Sequence, residues 1–140
     1  MKKSTDELLK VLKHTPDLQN YLTDEKENIL SASLHEHLAQ LLLEKNISMA
    51  QCIKDSGLDR TYGYQIFSGT KTPARDKVLA LSFGLHLTFE ETQSLLKANG
   101  YAILYAKDKR DSAIIFALQR SQSLVSLNEL LFDMGLELIK

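Results

Sequence analysis

The chain has 140 residues, the length of one domain of roughly 100–200 residues, and its 44% hydrophobic and 25% charged composition is that of a globular protein. The single cysteine, Cys52, excludes a disulfide framework and a multi-cysteine zinc site, and apolar runs of only a few residues exclude a membrane span. A net charge of −1, from 17 basic and 18 acidic residues, excludes a strongly basic nucleic-acid binder. Met1 to Asp6 lead into no apolar stretch, so no signal peptide is expected and the chain reads as cytoplasmic.

Strand alternation is nearly absent and helix signals recur. Ser4 to Glu7 reads as a capping box ahead of Leu8, Leu9 and Leu12, and Thr15-Pro16 as an N-cap with proline in the first turn of a helix to about Leu22. A polar stretch follows from Thr23 to Asn28. Leu34, Leu38, Leu41 and Leu42 form one face of a long helix ending near Asn46. Ser48 with Gln51 makes a capping box for a short helix that Gly57 closes. Asp59 caps the next helix, which ends at Gly69 and Pro73. Asp76 to Leu85 is helical, with Val78, Leu81 and Leu85 on one face. Thr88 with Glu91 starts a further helix that stops at Asn99-Gly100. Two helices fit the tail, one after Asp111 and one from Leu124 to Met134, ended by Gly135. No internal repeat and no low-complexity segment is visible. The fold class is all-α.

The informative segment runs from Ser48 to Gly69: two short helices joined by a tight turn at Gly57, with a helix before them and two after. Such a pair can present its second helix to a major groove about 12 Å wide. Lys54, Arg60, Lys71, Arg75 and Lys77 against Asp55, Asp59 and Asp76 give it a local charge of +2, which permits phosphate contact.

This segment resembles the helix-turn-helix of the lambda-repressor-like regulators, the xenobiotic response element family, over roughly Leu34 to Gly100. The resemblance implies a five-helix core over residues 34–100, with helical extensions at 1–33 and 101–140. It places the turn glycine at Gly57 and the glycine ending the recognition helix at Gly69. It implies base reading by Arg60, Thr61 and Gln65, and backbone contacts by Thr70, Lys71 and Arg75; Tyr62 and Tyr64 on the outer face are expected as backbone or groove contacts, because tyrosines can meet phosphates and thymine methyls. The string Arg60 to Gly69, followed by Arg75-Asp76-Lys77, is similar to a narrower bacterial branch with the same extensions. The partners implied are double-stranded DNA and a second copy of the chain, since half-sites one helical turn apart need a dimer. Part of the apolar tail surface (Ile114, Ile115, Leu118, Leu124, Leu127, Leu131) is expected to serve that homodimer.

The chain departs from the family at two motif positions. A small residue is usual where Ile53 stands, and a branched apolar one where Gly63 stands, so a size swap is expected in which Ile53 fills the space Gly63 vacates. The aromatic outer face, Tyr62, Tyr64 and Phe67, suits a protein-binding adaptor as well as a DNA reader. His35 and His37, two apart on a helix, do not share a face and make no metal site; His14 and His86 stand singly. Cys52 reads as a small hydrophobe, and Glu90-Glu91 as acids at a helix start. No phosphate loop, nucleophile elbow or metal-ligand spacing is present, so neither an enzyme nor a cofactor is expected.

Overall fold

The computed structural model describes residues 3–19 and 33–140, and these are helical without a single strand. The chain divides into two compact units, Met1–Ala32 and Ser33–Lys140. The first contains α1 (Thr5–His14), which buries none of its residues. Ser4 accepts a hydrogen bond from the Glu7 N–H at 3.2 Å and returns its own hydroxyl to the Glu7 carboxylate at 3.2 Å. Thr15 does not start the next helix. It closes α1, donating its hydroxyl to the Val11 carbonyl at 2.6 Å, and Asp17 does the capping instead, accepting from the Gln19 N–H at 3.0 Å. The rest of the helix expected to Leu22, and the polar stretch Thr23–Asn28, lie outside the described residues.

The second unit holds seven helices around one apolar core: α2 (Leu34–Lys45), α3 (Met49–Asp55), α4 (Arg60–Phe67), α5 (Arg75–Gly84), α6 (Phe89–Ala98), α7 (Lys109–Gln119) and α8 (Leu124–Asp133). Polar caps set most of the starts, because the first N–H groups of a helix have no partner inside it. Ser48 accepts from Gln51 N–H at 3.1 Å, but the Gln51 amide turns away to Asp55 at 2.8 Å, so the expected capping box is half made. Thr88 and Glu91 make theirs fully, and Glu91 also receives Lys45 at 2.8 Å. That lysine, then the Thr88 N–H, holds the Glu91 carboxyl below its usual range. α7 starts ahead of the expected point: Asp108 is the cap, accepting from Asp111 N–H at 2.8 Å. Asp111 itself is buried and serves another purpose.

Residues 34–100 and 101–140 share a single core, and the expectation of no internal repeat does not survive. The segment after residue 70 is built twice, with a spacing of 35 residues between Arg75 and Arg110. Each copy has an Arg-Asp pair at the start of one helix. A non-glycine residue at positive φ then follows (His86 at 55°, Ser121 at 52°), and after the second helix a glycine (Gly100 at 80°, Gly135 at 72°). Each second helix is capped by a hydroxyl, Thr88 or Ser123. Each copy ends in an extended segment gripped by an amide from its own second helix. Gln93 exchanges two hydrogen bonds with the Leu104 backbone at 2.7 and 3.0 Å, and Asn128 does the same with Ile139 at 2.8 and 2.9 Å. A side-chain amide can donate and accept at once, as a neighbouring strand would.

The two copies face each other reciprocally. The Arg75 guanidinium forks onto Asp111 at 3.1 and 2.9 Å, and Arg110 forks onto Asp76 at 3.0 and 2.8 Å. Each arginine also donates to two carbonyls of its own copy, Ala102 and Ile103 for Arg75, Glu137 and Leu138 for Arg110. Exchange of i with j′ and j with i′ is the mark of a two-fold relation, and the helices obey it as well: α5 packs on α8 and α6 on α7. The tail is therefore the second half of a pseudo-symmetric four-helix unit. Ile114, Leu127 and Leu131 are fully buried and Ile115, Leu118 and Leu124 nearly so. The surface expected to serve a homodimer is spent inside the chain.

Candidate nucleic-acid interface

Two close approaches position α3 and α4. α3 lies on α5 at Gly84, where a Cβ would collide with the Ser56 hydroxyl and the Cys52 carbonyl; only glycine admits so tight a crossing. α4 lies on α3 at Gly63, where a Cβ would stand 2.6 Å from Ile53 Cγ2 and 2.9 Å from Cγ1. Ile53 thus occupies the room of the missing side chain, as the size swap anticipates. Asp59 caps α4 through the Tyr62 N–H at 3.1 Å, and beyond α4 the Gln65 carbonyl accepts from both Thr70 and Lys71 N–H at 2.9 and 3.1 Å. Cys52 is fully buried, and burial pushes its thiol up to about 11, which leaves it protonated and unreactive at neutral pH.

With Ile66, Phe67 and Gly63 facing the core, the opposite face of α4 is left to Arg60, Thr61, Tyr64 and Gln65. These four line one open depression with Met49, Ser68 and an edge of Phe67. The Arg60 guanidinium sits 5.8 Å from the Tyr64 ring centre, close enough for cation–π attraction that holds both side chains outward. Tyr62 parts from this group: it is half-buried against the core, with the Lys77 ammonium 5.9 Å from its ring. Thr70 and Lys71 are exposed beside the end of α4; the Thr70 hydroxyl pairs with that of Ser68 at 2.9 Å.

Arg75 does not join them. Four of its donors are engaged inside the chain by Asp111, Ala102 and Ile103, and its partner Asp111 is buried. The role that sequence spacing could not reveal is therefore that of a clamp. The only hint in the sequence was the recurrence of Arg-Asp at 75–76 and 110–111. With Arg75 and Asp76 both neutralised by the tail, the cations left near α4 are Lys54, Arg60, Lys71 and Lys77, against Asp55 and Asp59.

Of the histidines in the second unit, His35 stands at the end of α4. His35 packs its ring over Gly69, at the end of α4, 2.7 Å from where a Cβ would be, and its Nδ1 meets the Ser33 hydroxyl at 2.7 Å. His37 reaches Asn99 at 3.1 Å, and burial lowers its pKa. Among the described residues no group of His, Cys, Asp and Glu is gathered as a metal ion would require, and no helix is long and apolar enough to cross a membrane. No protein-family model, curated protein or solved structure matches the chain.

Proposed function

We propose that the second unit is a DNA-reading module of the helix-turn-helix kind, with α3 and α4 as the motif and α4 as the helix that enters the major groove. One observation carries the reading: Arg60, Thr61, Tyr64 and Gln65 share an open face that no other part of the second unit covers, with the free cation Lys71 at its edge. Arg60 suits the guanine edge and Gln65 the adenine edge, each through paired hydrogen bonds; Thr61 and Tyr64 suit the thymine methyl. Thr70 and Lys71 would sit at phosphates and set register without reading sequence. Arg75 and Tyr62 support the scaffold in this account.

The chain would act as a regulator and not as an enzyme. Two half-sites would require a second copy, and since the tail residues expected at that seam, Ile114 to Leu131, are internal, the pairing would use other residues. The apolar share of the depression, from Met49, Tyr64 and Phe67, favours one competing reading, an adaptor that binds a protein through the same face. Selection of duplexes from a random library, followed by footprinting of the enriched sequence, separates the two. A DNA reader enriches a defined motif and protects it; an adaptor returns sequences no tighter than random DNA.

A further inference from the structure

The internal duplication supplies a control for every surface position of α8, because α6 holds the same place in the other copy. Where α6 carries Glu90 and Lys97, α8 carries Val125 and Phe132. The fold demands nothing apolar there, since the first copy meets solvent at these positions with charges. Yet Val125 is 69% and Phe132 72% exposed. Seven residues apart, they lie on one side of the helix, and with Asn128, Glu129, Asp133 and Leu138 they line a shallow groove between α8 and the extended tail.

On the Glu129 side the groove's charge is of one sign, Lys54 and Lys140 lying in the adjoining depression beyond Val125 and Asn128. Glu129 and Asp133 sit one turn apart along its edge, no lining residue is basic, and neither acid has an ion-pair partner among the described residues. A second copy laid antiparallel on α8, each Val125 over the other Phe132, would bring the two Glu129 carboxylates together near the two-fold axis and offer neither acid a base, which is unfavourable. Asn128 adds no recognition of its own, because its amide is committed to Ile139.

We infer that this face of α8 is a docking site for an amphipathic helix of a partner protein, one that seats two apolar side chains about two turns apart on Val125 and Phe132 and lays Lys or Arg beside Glu129 and Asp133. Apolar anchors with complementary rim charge are the elements of helix-in-groove recognition. The site is separate from the α4 face and independent of what that face binds.

The test uses the full chain, isotopically labelled, and two synthetic amphipathic helical peptides, one of Leu and Lys and one of Leu and Glu. The Leu/Lys peptide should bind saturably and shift amide signals of α8 and residues 136–140 only. The double substitution Val125→Glu with Phe132→Lys installs what α6 already carries. It should leave the melting curve unchanged and weaken the peptide at least about tenfold, the loss expected of a central apolar anchor. Equal binding of both peptides, binding unchanged by the double substitution, or shifts scattered over other helices would overturn the inference. So would a dimer in sedimentation that the double substitution dissociates, since the occupant would then be a second copy.

Discussion

Ile53 Cγ2 lies 2.6 Å from the point where a Cβ on residue 63 would stand, so the identity of one residue is fixed by the other. The seam between α3 and α4 closes because a branched side chain on one helix meets bare backbone on the next. Glycine inside α4 costs about 1 kcal/mol of helix propensity relative to alanine, and the close packing offsets it.

The consequence is a coupled pair. Gly63→Ala should destabilise by about 1–3 kcal/mol through overpacking, despite its better propensity. Adding Ile53→Ala should recover part of that loss, whereas Ile53→Ala alone should cost about 2–5 kcal/mol through its cavity. Denaturant melts of the four proteins give the coupling energy. Additivity within about 0.5 kcal/mol would mean that the two positions do not share space.

Arg75 makes an opposite use of charge. Arg75→Ala strands the buried Asp111 and should cost on the order of 3–5 kcal/mol, as breaking a buried pair does. Arg75→Lys should also destabilise, since an ammonium cannot fork onto a carboxylate while reaching two carbonyls. Arg110→Ala should cost less, because its partner Asp76 is 38% exposed against 10% for Asp111. Equal stability of Arg75→Ala and the unaltered chain would return Arg75 to the surface role that its sequence context suggested.

His37 gives stability a pH dependence of definite sign. Burial lowers its folded pKa below the ordinary 6.5, so the folded state takes up a proton less readily than the unfolded chain. Stability is then complete above the unfolded pKa and is lost as pH falls from there through the folded pKa. Melts between neutral pH and pH 5 should show this loss, and His37→Gln should flatten it in that range. Glu91, also depressed, adds its own loss only below the ordinary carboxylate pKa of 4.5.

The helices were legible in the sequence wherever a cap and a periodic face agreed, as at Ser48, Asp59 and Thr88. Thr15 misled because a threonine before proline serves a helix end as readily as a start, its hydroxyl turning back to Val11. The duplication was not legible. Beyond Arg75/Arg110 and Asp76/Asp111, the best-placed identities are Leu95/Leu130, Leu96/Leu131 and Gly100/Gly135, and apolar positions exchange freely among Leu, Ile, Val and Ala when volume is kept. For the same reason the tail leucines suggested a dimer surface: apolar periodicity shows that a face is buried without showing against what. The split within the α4 face, Tyr64 outward and Tyr62 half-buried against the core, likewise follows from how α4 packs and not from the spacing of the two tyrosines.

Base readers and phosphate binders must fail differently, and this separates the side chains assigned to each role. Arg60→Ala and Gln65→Ala should each cost about 1–3 kcal/mol on the selected site and relax preference at one base pair. Lys71→Ala should weaken all duplexes alike and reduce the salt slope by about one unit per site.

The most direct test is salt-titrated binding of the full chain to the selected duplex and to random DNA, each measured for the unaltered protein and for Arg60→Ala. The selected site should bind at least about 10³-fold tighter than random DNA, with a shallow salt slope from few phosphate contacts and a preference that Arg60→Ala erodes without changing that slope. Binding to both duplexes with equal affinity, or a preference untouched by Arg60→Ala, would contradict the assignment of α4 as a reader of DNA.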